Sequence, residues 1–167
     1  MPAPVRKSRS RRLGAVDKPS MFPHTVTLYN IQTETDPATL QDVTTSYITI
    51  LRGVFLDATK AVNVRQSGLE GADAVALYIP FSVDAVDGVT GKAKRYVWPL
   101  EFWRAEDKRE LWTLSTGGNT FFVKGEAVEP DRDVQFIEMM YDHVYDITSI
   151  DEKDVGGSMA HWEVGGN

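Results

Sequence analysis

Histidines, carboxylates, hydroxyls and one Gly-Lys step are the groups of this 167-residue chain able to do chemistry, and spacing raises none of them above background. His24 opens the first alternating segment, while His143 and His161 border the two arms of the last. None has the two-histidine, one-face spacing of a zinc-binding helix. In GVTGKA, a phosphate-binding loop would need glycine five places before the Gly-Lys step and a hydroxyl just after it. Those places hold Val86 and Ala93, so the segment reads as a turn. The carboxylates of Asp151–Asp154 lack the alternating oxygen ligands and distal Glu of a calcium loop and suit a solvated hairpin tip. Serines and threonines are numerous, but none sits in a nucleophile elbow. The expectation is a protein without catalytic residues, metal or cofactor.

The surrounding elements are short and alternate with period two, the pattern of antiparallel strands with one face buried. Val26–Asn30 reads as the first strand and Gln32–Asp42 as an exposed loop. Thr44–Leu56 reads as a long strand, with Gly53 placed where a bulge would bend it. Lys60–Arg65 continues extended. Ala74–Phe81 is the most apolar strand, with Val75, Leu77 and Ile79 on one face. Arg95–Trp98 forms a short strand, and residues 111–125 form a hairpin closed by Gly117–Gly118. The last hairpin begins at Val144, where Tyr145 and Ile147 alternate with Asp146 and Thr148.

Two segments break the period. Pro99 sits at a first helical position in PLEFWRAEDKRE, with acids early and Arg109 late. Asp131 is a candidate N-cap for a second helix carrying Val134, Ile137 and Tyr141 at helical spacing. The sum is six to eight strands: a mainly β, small, partly closed antiparallel barrel or sandwich with one or two short peripheral helices. It would occupy residues 21–167, behind an extended basic arm at 1–20.

Charge supports that division. Arg6, Lys7, Arg9, Arg11, Arg12 and Lys18 face only Asp17 within the first twenty residues, a local +5. The remainder therefore carries −11 of the overall −6. A basic arm on an acidic body suits extended contact with another macromolecule. Equally, the arm reads as a solvated tail, or Met21 as the true start. The chain has no cysteine, so disulfides and thiolate metal sites are excluded. No apolar run approaches the ~20 residues of a membrane span, and the start lacks a secretion signal. Trp98, Trp103, Trp112 and Trp162, with Phe102, Phe121 and Phe122, exceed the needs of a small core. Those at strand ends, Trp162 among them, would suit contacts with neighbouring subunits.

The opening H-x-V-T-L strand, the strand entering R-G-V-F-L, K-A-V-N-V-R, A-L-Y-I-P-F, a late V-K-G and the closing Y-D-I-T-S-I-D…H-W-E-V hairpin together resemble one family. They are similar to the head–tail joining proteins of long-tailed bacteriophages, also called head-completion, stopper or neck connector proteins. The resemblance covers most of residues 21–166. The helical segments and the basic arm exceed the minimal family pattern.

The resemblance implies a non-enzymatic virion protein whose barrels assemble as a homo-oligomeric ring in the phage neck, after synthesis in the host cytoplasm. The portal or adaptor would lie on the head side, the tail terminator or tail tube on the other. Genomic DNA would pass through the lumen without specific binding. Arg6, Lys7, Arg9, Arg11 and Arg12 would pair with acidic grooves on a partner. Two glycine-rich loops, Gln66–Asp73 (with Gly68 and Glu70) and Asp84–Lys94 (with Asp87 and Lys92), would reach into the channel or dock the next ring. Rival readings stay open: an adaptor or tail terminator, a nucleic-acid-binding barrel using the arm, and a carboxylate hydrolase of glycans or peptides.

Overall fold

A computed structural model describes residues 20–58 and 75–167. Among these residues nine strands and two helices follow one another: β1 (His24–Thr35), β2 (Asp42–Asp57), β3 (Val75–Pro80), β4 (Asp84–Asp87), β5 (Arg95–Tyr96), α1 (Pro99–Arg104), β6 (Leu111–Trp112), β7 (Thr120–Lys124), α2 (Val134–Met140), β8 (Val144–Lys153) and β9 (His161–Gly166). Strands β1, β7, β8, β9, β3 and β2 hydrogen-bond in that order, and β2 returns to pair with β1. All six pairings are antiparallel, so the sheet curls into a closed ring with β4 attached beside β2. The expected mainly β, barrel-like class with two short helices is what forms. The ring is closed where partial closure was expected.

Closure depends on one irregularity in β2. His24 faces Val54 and Thr25 faces Arg52, leaving Gly53 as the extra residue of a bulge, at φ 83°. Leu51 and Val54 are three residues apart yet both point into the main core. A regular strand would place them on opposite faces, because side chains alternate with period two. Before the bulge β2 pairs with β4, and after it with β3, so the strand turns the corner between two packed parts of the sheet. Strand β8 does the same where its register shifts between Ile147 and Ser149, keeping Ile147 and Ile150 on the core side.

The interior follows from alternation. Val26 and Leu28 of β1, Val75, Leu77 and Ile79 of β3, Phe122 of β7, and Trp162 and Val164 of β9 meet there. Outside the ring, Tyr29, Ile48, Phe121, Val123 and Ile137 form a second cluster, where α2 covers β1 and β7. Two buried hydroxyls fasten the chain that leads to α2. Thr27 Oγ1 donates to the Gly125 carbonyl at 2.7 Å and accepts from Ala127 N–H at 2.9 Å. The Tyr29 hydroxyl donates to the Ala127 carbonyl and accepts from Glu129 N–H.

Several expected boundaries move. Strands β1 and β2 continue past Asn30 and start before Thr44, leaving only Asp36–Gln41 as their connection. Apart from Ile31 and Val43 that extension is polar on both faces, so no alternation marks it. Residues 111–125 are not a hairpin: β6 pairs in parallel with β5, and β7 pairs with β1 and β8. The competing partner is Asn30, whose buried amide donates to the Thr113 carbonyl and accepts from Thr113 N–H. Helix α1 does begin at Pro99 but stops at Arg104. The N-cap of α2 is Asp133, which accepts from Phe136 N–H at 2.8 Å. Asp131 instead adopts φ 56° and takes Ser46 N–H at 3.3 Å. The expected extension over Lys60–Arg65 lies outside the described residues.

Gly53→Ala tests the corner. The nearest atom to an added Cβ is the Phe22 carbonyl oxygen at 4.0 Å, so space is not limiting and the cost is conformational. A loss of about 1–2 kcal/mol is expected in urea unfolding, with a smaller loss for Gly53→Asn, which tolerates positive φ better.

Candidate assembly surfaces

Arg6, Lys7, Arg9, Arg11 and Arg12 lie outside the described residues, as do Gln66, Gly68, Glu70 and Asp73. Trp162, expected at an interface, is a core residue: 5% exposed, 4.3 Å from the Phe81 ring centre and 4.5 Å from that of Tyr96. Its place on β9, with Val164 two residues on, carried the signal for an inward face. Trp98, at 58% exposed, is the tryptophan that does reach the surface.

The segment Asp84–Lys94 is not a free loop. Asp84–Asp87 is β4, paired along β2 from Thr49 to Arg52. The Asp87 carboxylate accepts from Val89 and Thr90 N–H, each at 2.8 Å, and closes the turn. Asp87 N–H donates to the Lys92 carbonyl at 2.7 Å, and Gly88 N–H to that of Ile48 at 3.0 Å. Lys94 returns under the turn, its buried ammonium donating to the Ile48 carbonyl at 3.3 Å and lying 3.9 Å from Asp87. A turn tied at so many points holds its shape, so Asp84, Asp87 and Lys92 form a fixed rim.

Two features are left uncovered. The first is the outer half of the β1–β2 hairpin. Strand β1 pairs with β7 only over Val26–Asn30, so Ile31–Thr35 and their partners Asp42–Ser46 continue as a two-stranded ribbon. Leu40 stands at its tip, 80% exposed, and Val43 is also exposed. The second is a groove of about 430 Å³ at the opposite end of β1, lined by Met21, Phe22, Phe55, Tyr78, Met159 and His161 among others. His24, Phe55, Tyr78 and His161 form a chain of ring contacts along it.

His24 Nδ1 accepts from Leu56 N–H, and His161 lies between the Met159 carbonyl and Glu163. His143 stacks beside Tyr145. The three rings thus serve separate elements, and among the described residues no three His, Asp or Glu side chains converge to hold a metal ion. No helix among these residues is long and apolar enough to cross a membrane.

A family model spans residues 21–167, covering the whole barrel. The chain belongs to DUF6751, a family of unknown function. Neither a curated protein nor a solved structure matches it.

Within this DUF6751 barrel, Lys94 gives the rim a pH signature. Burial pushes its ammonium down to about 8, against the pull of Asp87, while in the unfolded chain a lysine keeps its ordinary 10.5. Between those two values the unfolded state holds the extra proton, so stability rises with pH, by roughly 3 kcal/mol at most. Above about pH 10 the sign reverses, because burial pushes Tyr29 and Tyr96 up to about 12 and unfolded tyrosines ionise first. Melting temperature should therefore climb from neutral pH and fall again in stronger base. Lys94→Met should lose the climb and keep the fall; a wild-type profile flat from pH 7 to about 10 would contradict this account.

Proposed function

We propose that this protein is a structural ring component of the neck of a long-tailed bacteriophage, of the head-completion or stopper type, placed between the portal or adaptor and the tail. The observation that carries the reading is the ribbon. A closed barrel has satisfied its own sheet, yet the β1–β2 hairpin continues beyond it with apolar side chains at its tip. Such an extension, with apolar side chains exposed at its end, suits contact with a neighbour. The quoted sequence resemblance and the antiparallel ring of strands support the same reading.

The mechanism is electrostatic and passive. Residues 21–167 carry −11, and repetition around a ring gives a wall that repels phosphates. DNA then passes without the counterion release that would make it adhere. The arginines of the first twenty residues suit paired, fork-shaped contacts with carboxylates on the portal or adaptor.

Deleting residues 1–20 tests the arrangement. The truncated protein should keep its β-rich circular dichroism and melting temperature, yet be missing from purified particles when they are probed by antibody and electron microscopy. Incorporation equal to the full chain would remove the arm from the mechanism, and absence of the full-length protein from particles would remove the neck assignment. Residues 21–167 should also fail to retard duplex DNA at low salt; retardation would favour a nucleic-acid-binding barrel.

A further inference from the structure

Leu40 is unfavourable where it stands on two counts. Its backbone is left-handed at φ 56°, a conformation that bulky residues rarely adopt, and its side chain is 80% exposed at the end of a ribbon. The turn holding it is nonetheless well made. Asp36 N–H donates to the Gln41 carbonyl, Leu40 N–H to that of Asp36, and Ala38 N–H to the Asp36 carboxylate, each at 2.8 Å. A rigid turn that presents an apolar knob in a strained conformation points to a role for the knob.

The groove beside Phe22 and Phe55 supplies the matching hole. Its lining carries no carboxylate, although the adjoining depressions are lined by Asp84 and by Asp151 and Glu163. The ribbon between Gln32 and Thr45 holds Glu34, Asp36 and Asp42 and no basic residue. An acidic ribbon is repelled by most of this body and is admitted where carboxylates are missing. His161 lines the groove, with the Glu163 carboxylate 3.4 Å from its ring. Knob and hole lie at opposite ends of the twelve-residue strand β1, a separation of about 40 Å at ~3.3 Å per residue. They cannot meet within one molecule.

We propose that the tip of the β1–β2 hairpin of one copy, with Leu40 and Val43, seats in the Met21–Phe22–Phe55–Tyr78–Met159 groove of a second copy. The contact is head to tail, so each copy keeps one free knob and one free hole, and repetition closes a ring or extends a filament. A single such contact is small and weak, and closure of a ring strengthens it through effective concentration. The proposal rests on the ring reading above and names the surfaces that would make the ring.

Leu40→Asp and Met159→Asp separate the two ideas, since both side chains are exposed and neither change should alter folding. Sedimentation from micromolar to near-millimolar concentration should show wild-type oligomers and monomers for each variant alone. Mixing the variants should restore a one-to-one dimer, because each keeps the face the other lacks. The chain has no cysteine, so a Leu40→Cys/Met159→Cys double variant should give a ladder of disulfide-linked oligomers. Leu40→Gly should raise the melting temperature while abolishing assembly.

Oligomers that survive both Asp substitutions would overturn this contact and leave the ring standing. A wild type that stays monomeric throughout would overturn both. If the Cys of Met159→Cys is shielded from a thiol reagent, and the shielding disappears on deletion of residues 1–19 but persists with Leu40→Asp, the groove belongs to the chain's own first residues. The contact between copies is then wrong.

Discussion

The structure depends on β2 being paired along both edges. It is the longest strand, and it holds β1 on one side and β4 followed by β3 on the other. Without it the ring opens and both of its neighbours become free edges, which invite pairing with other chains. The demand on its sequence is contradictory: the strand must bend sharply while keeping apolar side chains inward before and after the bend. Gly53 resolves this by adding one residue and a left-handed backbone, so that Leu51 and Val54 can share a face.

Closure also decides where a passage for DNA could lie. Trp112, Trp162 and Leu114 fill the ring from within, with Tyr96 against them. The crossing segment that brings Trp112 and Leu114 is held by Asn30 through both backbone groups of Thr113. Three internal hydrogen bonds satisfy that buried amide, which would otherwise carry a desolvation cost of about 1–3 kcal/mol. A small barrel packed in this way is a solid body. In the proposed ring a channel would therefore run between copies rather than through one barrel, lined by outer faces that carry the surface carboxylates.

The sequence was legible where burial imposed a period and mute where it did not. Val75, Leu77 and Ile79 announced the inner face of β3, and Gly53 announced the bulge, because each answered to a packed neighbour. The first arm of the ribbon reads as a loop because Gln32–Thr35 is polar throughout, which erases the period-two signal, while Thr44–Ser46 reads as strand through its continuity with Ile48 and Ile50. The false hairpin at residues 111–125 came from two apolar runs around a double glycine, a pattern that says nothing about which strand each run will join. Choosing Asp131 over Asp133 as a cap reflects two equivalent acids two residues apart, separated only by tertiary contacts with Ser46. Of the surfaces, Trp162 misled because hydrophobic bulk suits a core as readily as an interface. The groove joins residues from 21 to 161, so no local pattern could show it.

A closed ring restricts how copies can join. Pairing by sheet edge needs unpaired N–H and C=O groups, and the circuit of β1, β7, β8, β9, β3 and β2 gives every strand a partner on each side, leaving open edge where a strand outruns its partner, as Ile31–Thr35 does beyond β7. The outer side of β4 is bridged through Val86 and Ala93. On the ribbon, Ser46 is taken by Asp131 and the Arg132 carbonyl. In the proposed contact side chains join the copies, and an acidic surface favours places where apolar groups outweigh repulsion. Exposed apolar residues on a body of −11 are therefore informative, because each adds contact without adding charge. Leu40 and Val43 on the projecting ribbon, with Met21 and Met159 beside the groove, are such residues at the two ends of β1. The contact proposed between those ends has a direction, and a directed contact, unlike a symmetric one, does not stop at two copies.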